Sequence, residues 1–402
     1  MFDYRLTEEQ KIVKDTVRRF ADKEIRPVIE EADRIQDPSE TWSLVGPIME
    51  KGLQLGFGKL LVPEEYGGAG GGLFELEILS EEIGYVDHGL AINFTLCAVL
   101  PLLVATLGTE EQIDKWVRPS MEDETGKYIW CLSTTEPSGG SEPFCPLPDP
   151  SLGVRVTATP HEDGYLIRGQ KSWTSHCGTA QNYLVLARTS KDKPNARGCS
   201  LFIYDKDTPG KSFGKIEDKM GNRTMRNGEI FFDDMWVPKE NLIGKEGEGL
   251  AATGEFFKRN AVAGTAGAAI GVARAAYNAA FRYVNERVIW GEKIIEMPAV
   301  ASKLVSMKMK IESCKAMVEK SMWAMENPSL APGLSNMAEL AKMYSTKMLP
   351  EVTSDAMFVF GGYGYSKEFP LERYMRDALA SRVFEGNNDM WEWFISRDLD
   401  YL

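Results

Sequence analysis

Apolar residues recur with a helical period from the start of the chain: Ile12, Val13, Val17, Phe20 and Ile25 form one candidate stripe. Thr7 followed by Gln10 places a capping box at the head of that helix. Helical signals continue to about Gly126, interrupted by the glycine-rich loop PEEYGGAGGG, Pro63–Gly72. The most apolar run, GLAINFTLCAVLPLLVATLG from Gly89 to Gly108, approaches the ~20 residues needed to span a bilayer. Asn93, Thr95 and Pro101 interrupt it and Asp87 and His88 abut it, so the pattern predicts a buried core helix and no membrane span.

The period changes from about Tyr128 to Pro238. Short alternating runs (VRVTAT, YLIRG, YLVLART, CSLFIY) separated by Gly, Pro and Asp turns predict a compact antiparallel β domain. After Asn241 helices return. Ala261–Glu286 is dense in Ala and Gly, and Gly264, Gly267 and Gly271 are spaced to let neighbouring helices approach closely. Helices are also expected over Pro298–Glu326 and Asn336–Phe360. The expected fold class is therefore α+β, with an N-terminal helical domain (1–127), a central antiparallel β domain (128–240) and a C-terminal helical domain (241–402). A length of 402 residues suits two or three domains at roughly 100–200 residues each.

Composition narrows the function classes. Hydrophobic residues at 43% and charged residues at 26% are ordinary globular usage. Lys+Arg 46 against Asp+Glu 59 gives a net charge of −13, which disfavours nucleic acid or an anionic membrane as partner. A local basic pocket for a phosphorylated ligand stays compatible with that balance. Cys97, Cys131, Cys145, Cys177, Cys199 and Cys314 form no CxxC pair and read as buried thiols of a reducing compartment. His88, His161 and His176 lack metal-ligand spacing, so no metal site is expected. There is no GxGxxG opening a helix and no GxxxxGK[ST]. The start, MFDYRLTEEQ, lacks a basic-plus-apolar signal, so a bacterial cytoplasm is expected, or the mitochondrial matrix for the mature form of a eukaryotic protein.

Three segments can carry chemistry. In Phe360–Asp389, FGGYGYSKEFPLERYMRDALASRVFEGNND, Glu385 follows Val383 and Phe384 and precedes Gly386. On an apolar ledge its pKa would rise and make it a base near neutral pH; the alternative is a glutamate at a helix end with its head in water. Leu132–Ser141 (LSTTEPSGGS) and Gly169–Ser175 (GQKSWTS) combine hydroxyls, glycines and Trp173 at strand ends. They suit a polar heteroaromatic ring, or are plain turns. In NERVIWGEKI (Asn285–Ile294), Arg287 either clamps a phosphate or lies on the surface.

Together TEPSGGS, GQKSW, ERVIWG and FGGYGY…PLERYMRDA…FEG, in register over most of the chain, resemble the acyl-CoA dehydrogenase flavoprotein family. The resemblance implies a C-terminal four-helix bundle and FAD held between bundle and β domain. It implies that Leu132, Thr134, Thr135 and Ser141 lie along the flavin, with Trp173, Thr174 and Ser175 on its other side. Arg287 matches the diphosphate arginine supplied by a neighbouring subunit, with Trp290 beside it; Gly361, Gly362, Asn387 and Asp389 match the adenosine end. A homotetramer or homodimer built through the bundle follows. Glu385 takes the position of the base that removes the α-proton while the β-hydride passes to flavin N5. Its backbone N–H and a ribityl hydroxyl bind the thioester oxygen. Ser141, Arg259 and Arg397 match positions that bind the CoA phosphates or lie near them, and Gly386 matches a substrate-binding position.

The chain departs from the family at several points. EGT is EGN here, Asp389 stands where an amide is frequent, and Pro298 and Phe358 replace glutamines that touch FAD. Ser141–Leu152 is longer than usual, and Ala91 replaces the arginine of glutaryl-specific members. The implied activity is dehydrogenation of an acyl-CoA to the 2,3-enoyl-CoA, with electrons passing to electron-transfer flavoprotein. Abundant Met and Trp with the long loop point to a branched, cyclic or aryl-bearing acyl group. The alternatives are an acyl-CoA oxidase or flavin monooxygenase on the same fold, or a silent family member acting as a binding module.

Overall fold

The computed structural model describes residues 5–331, 334 and 336–397. Helix α1 (Glu8–Phe20) begins at Thr7, whose Oγ1 accepts the Gln10 N–H at 3.1 Å while Gln10 Oε1 accepts the Thr7 N–H at 3.0 Å. Val17, Phe20 and Ile25 are buried, but Ile12 is 66% exposed. Adjacent helix positions point about 100° apart, so only one of Ile12 and Val13 can face inward, and Val13 does. Helices α2 (Trp42–Gln54), α3 (Leu73–Gly84) and α4 (His88–Leu107) complete the larger elements of this region.

Helix α4 is long and apolar enough to cross a membrane, with a mean hydropathy of 2.2, yet 78% of that window is buried inside the protein. Its polar residues face protein groups: Asn93 Nδ2 donates to the Thr224 carbonyl at 3.2 Å, and Thr95 Oγ1 donates to the Ile92 carbonyl at 3.0 Å. Asp87 caps its N-terminus by accepting the Leu90 N–H at 2.7 Å.

The strands are β1 (Trp130–Ser133), β2 (Thr157–His161), β3 (Gly164–Ser175), β4 (Asn182–Arg188), β5 (Cys199–Asp205), β6 (Lys211–Ile216), β7 (Asn227–Pro238) and β8 (Leu242–Ile243). They form one sheet in the order β6-β7-β3-β2-β4-β5-β8, with β1 against β4. The sheet is mixed, which corrects the purely antiparallel expectation. β1 runs parallel to β4 from Trp130↔Asn182 to Ser133↔Val185, and β2 meets β4 parallel at Thr157↔Arg188. The β2–β3 hairpin lies between β1 and β4 in the chain and supplies the crossover that a parallel pairing needs. Strand β4 is buried along its whole length, which is why it reads as a continuous apolar run. Strand β8 pairs with β5 through Leu201↔Ile243, so the sheet extends just past residue 240.

Helix α5 (Gly249–Arg259) passes through a π-helical segment, Asn260–Thr265, into α6 (Ala266–Glu286). Then follow α7 (Pro298–Glu326), α8 (Met337–Phe360), α9 (Leu371–Ala380) and α10 (Asn388–Ser396). The small residues on α6 do bring helices together. A Cβ on Gly84 would lie 2.7 Å from the Ala268 carbonyl oxygen, and Ser80 Oγ donates to the Gly264 carbonyl at 2.5 Å. A Cβ on Gly271 would overlap the Glu81 carbonyl and lie 2.7 Å from Tyr85 N. Alanine at 271 gains about 1 kcal/mol of helix propensity but overpacks this contact at a cost of about 1–3 kcal/mol. Gly271→Ala is therefore expected to lower the melting temperature; a melt at or above wild type would show that α3 and α6 do not pack this tightly.

Candidate active site

The turn between α9 and α10 carries Glu385 at φ +52° and Gly386 at φ +82°, two left-handed residues in succession. Holding a non-glycine residue there costs about 1–2 kcal/mol. The turn is held from three sides. Trp391 Nε1 donates to the Glu385 carbonyl at 3.2 Å, Lys342 Nζ to the Gly386 carbonyl at 2.6 Å, and Asn388 N to the Arg382 carbonyl at 3.1 Å. Asn387 Oδ1 accepts the Asp389 N–H at 2.7 Å and so caps α10. Any Cβ at Gly386 would strike the Trp391 indole.

Glu385 is half-buried as a residue, but its Oε2 is buried with no hydrogen-bond partner among the described residues. Burial raises its pKa to about 7, opposed by the nearby polar side chain of Asn260 and by the charge of Lys342. One carboxylate oxygen is thus withdrawn from water. Of the ledge, Phe384 packs on the core with its ring 5.8 Å from His88, whereas Val383 is 64% exposed. Lys342 and Asn260 carry no signature in the sequence; each stands among other polar and charged residues (Lys258 and Arg259 before Asn260, Glu339 and Ser345 around Lys342) with nothing to single it out. The only available signal is a lysine or asparagine at an inward helix position, and Asn260 opens the π-helical segment, a feature frequent at functional sites.

A second group gathers at the ends of β1 and β3. Lys171, fully buried, donates from Nζ to the Thr134 carbonyl at 2.9 Å and to Glu136 Oε1 at 2.8 Å. Glu136 also accepts the Arg155 and Val156 N–H groups at 2.8 and 3.0 Å. Ser172 N donates to the Thr135 carbonyl at 2.9 Å, which brings Leu132–Thr135 against Trp173–Ser175. The β3–β7 register shifts between Lys171 and Thr174, and Trp173 takes φ +56° there with 53% of its surface exposed. Thr174 Oγ1 is buried without a partner among the described residues, and Asn227 Nδ2 reaches both the Trp173 carbonyl and Ser175 Oγ at 3.1 Å. An exposed indole beside an orphaned hydroxyl fits a flat polar ring system such as an isoalloxazine.

Ser141 is exposed and precedes a short turn, Glu142–Phe144; Phe144 stands edge-on to Phe257 at 5.0 Å, so the long loop packs on α5. Arg259 lines a cavity of about 330 Å³ with Val99, Leu102, Leu103, Ala252 and Phe256. Arg397 lies 5.2 Å over the Trp393 ring. Arg287 ends α6, and the hairpin after it turns at Trp290 (φ +54°, 93% exposed) and Gly291. Gly361 and Gly362 are exposed with open space around both, and Tyr283 stacked on Phe360 at 4.1 Å places them at the same end of the bundle as Arg287. These four residues form a third, exposed group. Pro298 begins α7, and Phe358 is 72% exposed; neither offers a side-chain hydrogen bond. Among the described residues no cluster of three His, Cys, Asp or Glu is arranged for a metal.

Family models for the acyl-CoA dehydrogenase N-terminal, middle and C-terminal domains match residues 7–124, 131–235 and 247–399. The chain belongs to the acyl-CoA dehydrogenase family. It is an oxidoreductase acting on acyl-CoA, with FAD as its cofactor. A short-chain-specific acyl-CoA dehydrogenase of Clostridium acetobutylicum is 33% identical over 98% of each chain. Butyryl-CoA dehydrogenase from Megasphaera elsdenii superposes with a TM-score of 0.89 at 30% identity, covering 99% of both chains. A chain solved in work on the electron transferring flavoprotein of Acidaminococcus fermentans gives 0.88 at 35% identity, covering 99% of both.

In this acyl-CoA dehydrogenase the Lys171–Glu136 pair supports the β-side group. Lys171→Met leaves Glu136 buried and uncompensated, a loss of about 3–5 kcal/mol. Denaturant unfolding of the variant, and of Lys171→Met combined with Glu136→Leu, is expected to show much of the loss restored in the double variant. A double variant no more stable than the single one would contradict the pairing.

Proposed function

We propose that this acyl-CoA dehydrogenase converts an acyl-CoA to its 2,3-enoyl-CoA with Glu385 as the base. The observation that carries the reading is a carboxylate sunk into the protein whose pKa, about 7, suits proton abstraction at neutral pH. FAD supplies the two-electron acceptor for the β-hydride. Glu385 takes the α-proton, and its backbone N–H stabilises charge developing on the thioester oxygen. Burial of Oε2 limits the access of water to the carboxylate.

The flavin ring is assigned to the Leu132, Thr134, Thr135 and Ser141 side against Trp173, Thr174 and Ser175. Arg287, Trp290, Gly361, Gly362, Asn387 and Asp389 are assigned to the rest of FAD, with the exposed members acting across an interface with a second copy in a homodimer or homotetramer. Arg259, Ser141, Gly386 and Arg397 are assigned to the CoA thioester. A branched, cyclic or aryl-bearing acyl group is the proposed substrate class, its apolar part assigned to the cavity wall of Val99, Leu102, Leu103 and Phe256. Electron-transfer flavoprotein is the proposed acceptor, supported by the likeness to the chain from the Acidaminococcus work. A bacterial cytoplasm is the proposed compartment, supported by bacterial relatives. The division at 127 and 240 is proposed as the domain organisation.

The test is an anaerobic visible spectrum of the FAD-loaded protein during addition of a panel of acyl-CoA thioesters. One class is expected to bleach the flavin, at a rate that rises with pH through about 7 as Glu385 loses its proton and levels above it. Glu385→Gln is expected to slow bleaching by about 10²–10⁴. Full turnover in that variant would remove the base assignment. Rapid reoxidation of the bleached enzyme by air would replace the dehydrogenase reading with an oxidase.

A further inference from the structure

Lys342 sits on α8 with no surface exposed to solvent. Its hydrogen-bond partners are neutral: the Gly386 carbonyl at 2.6 Å and Asn388 Oδ1 at 2.9 Å. Asn388 is oriented by Thr346, whose Oγ1 lies 3.1 Å from its Oδ1 and 3.0 Å from its Nδ2. Two neutral acceptors are served by either form of the amine, so any charge on it needs a further source of support. A buried ammonium is costly unless an opposite charge lies near. Glu339, one turn earlier on α8, is engaged by Lys258 at 3.5 Å and does not serve.

We propose that Lys342 is a positioning residue for the base: its buried Nζ, held by Asn388, donates to the Gly386 carbonyl and keeps the Glu385–Gly386 turn in its left-handed form, and in its protonated form it favours the ionised Glu385 carboxylate. The inference rests on Glu385 being the base. The two groups act on each other. Lys342 is pulled down to about 7 by burial and supported by the charge of Glu385, while Glu385 is raised by burial and lowered by Asn260 and Lys342. Lys342, from α8, is the one charged side chain among the described residues that shifts Glu385; the π-helical segment contributes the neutral Asn260. Trp391, by contrast, holds the Glu385 carbonyl without charge.

The variants K342M and K342Q separate the hook from the charge, since glutamine keeps an N–H donor and loses the cation. W391F removes an uncharged hook. The readout is the infrared band of the protonated Glu385 carboxyl, identified by its loss in E385Q and followed against pH in the full-length, FAD-loaded protein. Removing the cation raises the carboxyl's pKa, so the midpoint in K342Q is expected to move up by about one unit or more, and in W391F to stay. One unit corresponds to about a tenfold loss of ionised base below the midpoint. Turnover of K342Q below pH 7 is therefore expected to fall about tenfold in kcat, with KM changed less than about threefold and the rate recovering at higher pH. If K342M does not fold, K342Q carries the test. A wild-type midpoint in the folded Lys342 variants overturns the proposal. If no thioester bleaches the wild-type flavin, the reaction reading fails, while the infrared titration still decides the role of Lys342.

Discussion

A partly buried carboxylate on a turn that a buried lysine holds in place is the condition on which the site depends. Burial alone holds a glutamate protonated; a nearby cation alone makes it a weak base. For Glu385, burial pushes the pKa up to about 7, against the opposing pull of Asn260 and the charge of Lys342, and Oε2 is buried. The same enclosure forces the local backbone. Glu385 and Gly386 take consecutive left-handed conformations, and the Trp391 indole and Lys342 ammonium close on their carbonyls. The strain is held by groups that also set the chemistry.

That turn is stable because the helix before it is anchored in other parts of the chain. On α9, Arg373 meets Asp87 at 3.2 Å, and Asp377 accepts the Asn222 N–H at 2.6 Å. Asp87 in turn caps α4 and accepts Thr224 Oγ1 at 2.6 Å. His88 carries the network to the base, with Nδ1 3.0 Å from Asn222 Oδ1 and its ring against Phe384. The turn that presents Glu385 is thus braced by the head of α4 and by the loop before β7. The close approach of α3 and α6, allowed by Gly84, Gly267 and Gly271, locks the N-terminal helices to the bundle in the same way.

Much of the architecture was legible from period alone. The long helices over Pro298–Glu326 and Met337–Phe360, the buried apolar helix and strands β4 and β5 all lie where the pattern placed them. Ile12 was misplaced because one-dimensional spacing does not choose between adjacent apolar residues. The parallel β1–β4 pairing was hidden because strand direction depends on the path of the chain between strands. At the site, motif residues were legible because glycine at φ +82° and an acid before it leave a local trace. Lys342 and Asn260 left none, since a helix tolerates either residue on any face.

The sequence by itself determined which segments form helices and strands, the family, and the identity of the candidate base. Those are properties of local period and of motifs a few residues long. Only the tertiary structure decided that Glu385 Oε2 is buried, that Lys342 reaches the Gly386 carbonyl from 44 residues away in the chain, and that Lys171 secures the Thr134–Glu136 loop. Desolvation and Coulomb interactions act through space. They take effect once folding has excluded the water and set the charges at fixed distances.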